Sequence, residues 1–158
     1  MLMSIVLLSA MLPSHGVPQC RAAQLRLTAD DHGRGYNGMS HSGTELLIRN
    51  VGQACMLAAN PALDMRDARG RVVARGDASQ SRGTPVRLGT GRRGSIELRW
   101  VSNAVFEHNR SVHARFIVMR IGTGTLRAPI DATLYGEAGG GFGFEQTAAH
   151  YPEATPHP

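Results

Sequence analysis

Two cysteines, Cys20 and Cys55, stand behind an apolar leader and are the only ones among the 158 residues. An even cysteine count in an exported chain reads as one disulfide formed in an oxidising compartment. Cys20 follows the leader closely. Cys55 lies in Asn50-Val51-Gly52-Gln53-Ala54-Cys55-Met56-Leu57, directly after a strand-like run. A bridge between them would pin the start of the first strand to the end of the second. That points to a β-rich domain working outside the cytoplasm.

The leader itself, Met1 to Leu12, carries no charge. Crossing a hydrocarbon core of ~30 Å takes ~20 apolar residues, so this run is too short to span. It matches the apolar region of a secretory signal peptide instead. Pro13 ends the run, and Ser14-His15-Gly16 offers small residues to a signal peptidase, so cleavage is expected after Gly16, with a cut nearer Cys20 as second choice. Lipid attachment at Cys20 is disfavoured, because Val17-Pro18-Gln19 is not the small, apolar triplet that this modification needs. The alternatives, a buried N-terminal strand and two free thiols, follow only if the leader is not a signal. The expected organisation is a signal peptide over 1–16, one β domain over 17–147 and a disordered tail over 148–158. The mature chain should be secreted or periplasmic, without a transmembrane segment.

Alternation with a period of two recurs along the chain. It is clean in Gln24-Leu25-Arg26-Leu27-Thr28, continues in Leu63-Asp64-Met65-Arg66, and is best in Ser95-Ile96-Glu97-Leu98-Arg99-Trp100. Half-buried strands read this way, because successive side chains point to opposite faces. Leu46-Leu47-Ile48 and Phe116-Ile117-Val118-Met119 are apolar throughout and suit central strands. Asp67-Ala68-Arg69-Gly70 reads as a hairpin turn. Glycine pairs at Gly89/Gly91 and Gly122/Gly124 bracket further strands, and only Asn103 to Asn109 suggests a helical turn. Short strands with regular turns suggest an all-β, two-sheet antiparallel β-sandwich, with Trp100 as its large core anchor.

In this order the segments Cys20-Arg21-Ala22-Ala23-Gln24-Leu25, Asn50-Val51-Gly52, Cys55-Met56-Leu57, Pro61-Ala62-Leu63 and Leu88-Gly89-Thr90-Gly91 to Trp100 resemble a bacterial family, the domain of unknown function numbered 4232. The resemblance spans roughly Cys20 to Gln146. It implies an exported, often lipid-anchored, immunoglobulin-like β-sandwich, and it brings no catalytic residues with it. The chain departs from the family's pattern at Ala59-Asn60 and Thr90-Gly91. A second cysteine pair that many members carry would fall within Glu107 to Asn109 and at Tyr135; both positions have lost it.

Chemistry is sparse. No G-x-S-x-G elbow is present, and Ser95 opens an alternating strand. The carboxylate pairs Asp30/Asp31 and Asp64/Asp67 sit in a loop and around a turn, where aspartate commonly bonds the backbone. The expectation is a protein that is not an enzyme. His32, Met39 and His41 share the polar, glycine-rich stretch Asp30 to Ser42, which reads as a long loop, and histidine with methionine suits copper, so copper handling is the alternative function. The formal charge is +5, and all 17 basic residues are arginine, which grips carboxylate or phosphate in forked pairs. They are scattered, and no nucleic-acid-binding motif accompanies them. The expected partner is an anionic envelope polymer or another envelope protein, and no nucleic acid.

Overall fold

A computed structural model describes residues 16–30 and 39–152. The alternating segments become strands β1 (Leu25–Asp30), β2 (His41–Asn50), β3 (Cys55–Leu57), β4 (Leu63–Arg66) and β5 (Val72–Asp77). They continue as β6 (Val86–Leu88), β7 (Arg93–Val101), β8 (Asn109–Ile121), β9 (Gly124–Glu137) and β10 (Gly143–Gln146). A single 3₁₀ turn, Ala22–Gln24, precedes β1, and Asn103–His108 forms bends rather than a helical turn. Strand faces follow the alternation. Leu25 and Leu27 of β1 are buried, as are Ile96, Leu98 and Trp100 of β7 and Ala128, Ile130, Ala132 and Leu134 of β9.

The expected all-β class is observed, but the division into two sheets is not clear-cut. Eight strands form one hydrogen-bonded sheet in the order β1-β2-β7-β10-β5-β4-β8-β9, and β3 with β6 forms a separate two-stranded ribbon. β10 is the seam. It pairs antiparallel with β7 and parallel with β5, so the backbone ladder passes from one half to the other without a break. At the far ends β1 lies against β9, and the sheet curls into a nearly closed, barrel-like wall. Side chains from both halves meet in one core. Each Leu or Ile that is fully buried there contributes about 1.5–3 kcal/mol relative to an exposed one.

The folded part also runs past its expected limit at residue 147. Ala149 is buried, its N–H donates to Ala59 O at 2.7 Å, and His150 exchanges both backbone hydrogen bonds with Ser95. Ala149 and His150, placed in the expected tail, are thus tied to the sheet; residues 153–158 and the leader through His15 lie outside the described residues.

The β4–β5 hairpin forms where its turn residues predict. Gly70 takes φ +80°, which costs a residue with a side chain, and its N–H donates to Asp67 O at 2.9 Å. Asp67 Oδ1 accepts the backbone N–H of Arg69 at 2.9 Å and of Arg71 at 3.0 Å, while Oδ2 accepts Arg71 Nε at 2.8 Å. Burial pulls this carboxyl upward. The hydrogen bonds from Arg71 and Arg69, with the Arg71 charge, outweigh it and hold the carboxyl below its ordinary value. A carboxylate with a depressed folded value stabilises the fold above its unfolded value of about 3.9, and that stabilisation disappears as pH falls through the lower folded value. An NMR titration should therefore give Asp67 a midpoint below that of a free aspartate. Protection of the Arg69 and Arg71 amides, taken relative to their intrinsic exchange rates, should fall at the acid end, and Asp67→Asn should abolish that pH dependence.

Candidate functional site

The expected disulfide is present. Cys20 and Cys55 bridge with their Cα atoms 4.8 Å apart, Cys55 fully buried and Cys20 nearly so. Cys55 belongs to β3, beyond the end of β2, and pairs with Leu88 of β6. The bridge therefore clamps the N-terminal segment to the ribbon. Trp100 is buried in the core. Of the copper candidates, His32 lies outside the described residues. Met39 is almost wholly exposed just before β2, whereas half-buried His41 opens that strand rather than lying in the expected loop, its Nδ1 3.3 Å from the Met39 carbonyl. No group of three His, Cys, Asp or Glu side chains is placed to hold a metal among the described residues. The segments where a second cysteine pair would fall run side by side on β8 and β9, with Asn109 opposite Glu137.

Ser95 is fully buried and its hydroxyl donates to Glu45 Oε1, which places it out of reach of a substrate. Near it, a cleft of about 460 Å³ runs over β7 and β10, bordered by Asp77, Glu97, Arg99 and Glu145. Its carboxylates are spread along different strands: Glu145 sits across from Arg99, and Glu97 across from Glu45.

The most organised cluster of charge lies on the outer face of β5-β4-β8-β9. Alternation turns Leu63 and Met65 of β4 into the core and leaves Asp64 and Arg66 on the outside. Register then sets Asp64 beside Arg75 on β5 and Val118 on β8, with Arg127 of β9 opposite Val118. One position along, Arg66 faces Phe116. Asp64 is only 5% exposed although it is on the outer face. Three guanidinium groups cover it: Arg75 at 3.5 Å, Arg120 at 3.7 Å and Arg66 at 3.8 Å. Asp64 therefore does not bond the turn backbone as its nearness to Asp67 suggested; it gathers arginines.

Arg127 completes the face. Its guanidinium carbon sits 3.4 Å from the centroid of the Phe116 ring, and it makes no ion pair or side-chain hydrogen bond among the described residues. Arg66 Nε is buried without a hydrogen-bond partner. Between Arg66 and Arg127 opens a cavity of about 230 Å³, lined also by Gly70, Phe116, Val118 and Thr125. Three guanidinium groups thus cover a single carboxylate, with Arg127 stacked on Phe116 of the same face, and the surplus is positive. Scattered arginines in the sequence gave no sign of this, because they converge only through the register of four strands.

The fold and its bridge define an all-β domain clamped by one disulfide, with no α-helix among the described residues. Within that class the assignment is specific. Residues 20–150 match the family described as Domain of unknown function (DUF4232), and the chain belongs to it. The chain matches no curated protein and no solved structure.

Proposed function

We propose that this is a non-catalytic binding domain of the bacterial cell envelope that holds an anionic polymer on the arginine face of β5-β4-β8-β9. The observation that carries the reading is the set of three arginines gathered on buried Asp64, with Arg127 stacked on Phe116 of the same face. A carboxylate beneath guanidinium groups limits their movement and points their remaining donors outward, so less side-chain freedom is lost when an anion arrives. The disulfide supports placement in an oxidising compartment after export. In this reading the curled sheet is an immunoglobulin-like sandwich whose two layers have joined through β10.

The experiment is binding of the full, oxidised chain to immobilised polygalacturonate, with neutral dextran as the comparison. Retention on the polyanion should fall as salt is raised, since exposed charges are screened beyond about 10 Å at 0.1 M. Arg75→Gln together with Arg120→Gln should weaken binding by roughly threefold to tenfold, as expected for two partly solvated contacts. Equal retention on dextran, or a double variant that binds like the parent, would reject the reading.

A further inference from the structure

We propose that the cavity between Arg66 and Arg127 seats one carboxylate or phosphate group, and that it is the point at which a repeating anionic unit is gripped. The proposal rests on the polymer reading above for its source of anions, though not for the seat itself. Three independent observations meet there. Arg66 lines the cavity, and its buried Nε has no hydrogen-bond partner. A buried donor left unpaired is costly, and in folded proteins such a group usually has a role. Arg66 is not free to escape, since its terminal nitrogen is held toward Asp64 at 3.8 Å.

The second observation is Arg127. Stacking on Phe116 occupies one face of the guanidinium and leaves its donors unclaimed by any acceptor among the described residues. An arginine stacked on a ring is pre-organised for a planar or tetrahedral oxyanion, because the ring holds the plane while the in-plane donors stay available. The third is size and lining. About 230 Å³ accommodates a phosphate or a carboxylate with part of the ring that bears it, and Thr125 is among the lining residues. No carboxylate lines this cavity to compete with an entering anion; Asp64 lies on the neighbouring position of β4, already covered by arginines. Arg66 and Arg127 belong to β4 and β9, with β8 between them, so the sheet fixes their spacing.

The test is NMR titration of the full, oxidised chain, following the Arg66 and Arg127 Nε–Hε signals. The probes are inorganic phosphate, galacturonate monomer and polygalacturonate. Saturable movement of both signals at up to tens of millimolar phosphate or monomer is the expected result. Phe116→Leu should weaken monomer binding about threefold, the loss expected for one cation–π contact. Arg127→Gln, at an exposed position, tests the same contact should the ring variant fold poorly. Saturation by phosphate and monomer with no binding of polymer would keep the seat, overturn the polymer reading and identify a free small anion as its ligand. Polymer binding with both Nε–Hε signals unmoved by every probe would overturn the seat and leave the arginine face standing.

Discussion

Replacing Asn50 with leucine is expected to destabilise the protein by about 3–5 kcal/mol, more than a typical single substitution. Asn50 is fully buried at the end of β2. Its Nδ2 donates to Gln53 O and Leu88 O, both at 2.9 Å, and reaches Gly89 O at 3.3 Å. Its Oδ1 accepts Gly52 N–H at 2.9 Å and Gln24 Nε2 at 3.2 Å. One side chain thereby joins the 3₁₀ turn, the β2–β3 connection and the β6–β7 loop. The main chain agrees: Asn50 N donates to Arg92 O and its carbonyl accepts Gly91 N–H. Leucine fills similar space, yet it strands the buried Leu88 carbonyl and leaves the part-buried Gly52 N–H and Gln53 carbonyl without their partner, at about 1–3 kcal/mol for a fully buried group. Urea unfolding should show a lower midpoint with an unchanged slope. Gln24→Ala, which removes a more exposed partner, should cost about 1 kcal/mol. A loss of under about 1 kcal/mol for Asn50→Leu would mean that solvent reaches these groups and the hub is not structural.

The same neighbourhood accounts for a glycine. A Cβ on Gly52 would lie 2.8 Å from Gln24 Cβ, so the Asn50-Val51-Gly52 segment needs both its polar hub and its missing side chain. The segment stood out in the sequence as a family resemblance, but its purpose did not, because Leu88 and Gly89 are far along the chain. Features written in local chemistry were legible in advance. The Asp67–Gly70 turn needs only its own residues, and the alternation around Leu25 and Trp100 needs only the pleat. Contacts set by distant pairing were not legible. Whether a set of strands divides into two sheets or curls into one depends on β10 meeting β5, and nothing in Gly143–Gln146 states its partner. The arginine face failed to appear for a related reason. Asp64 reads as a carboxylate flanking a turn and bonding its backbone, and its burial follows only when Arg66, Arg75 and Arg120 arrive from three strands. Residues 148–152 failed through composition. Small and polar residues with a proline resemble a loose end, but backbone pairing with Ser95 makes no demand on side chains.

Removing the disulfide, as Cys20→Ala with Cys55→Ala, should cost about 3–4 kcal/mol. The bridge spans 35 residues, and closing a loop of that length in the unfolded chain corresponds to a stabilisation of about that size. For a domain of this length the melting temperature should fall by roughly 10–15 °C. Without it, the N-terminal segment is held to β3 by the hydrogen bonds Cys20 N–H to Met56 O at 2.9 Å and Met56 N–H to Pro18 O at 2.8 Å. Amide exchange at Cys20 (alanine in the variant) and Met56 should therefore rise more than at Ile96 or Met119 in the core. The consequence reaches the arginine face. Ala22, two residues from the bridge, packs so closely on β9 that a Cβ at Gly124 would come within 2.7 Å of the alanine's own. Gly124 adjoins Thr125, which lines the cavity beside Arg127. Loosening the N-terminal clamp should thus free the β8–β9 turn and weaken phosphate binding at that cavity as well as lower stability. Reduction that leaves the melting temperature within a few degrees would show that the clamp is redundant with the hydrogen bonds around it. Loss of stability with unchanged phosphate affinity would confine its effect to the ribbon and sever the link from Ala22 to the anion seat.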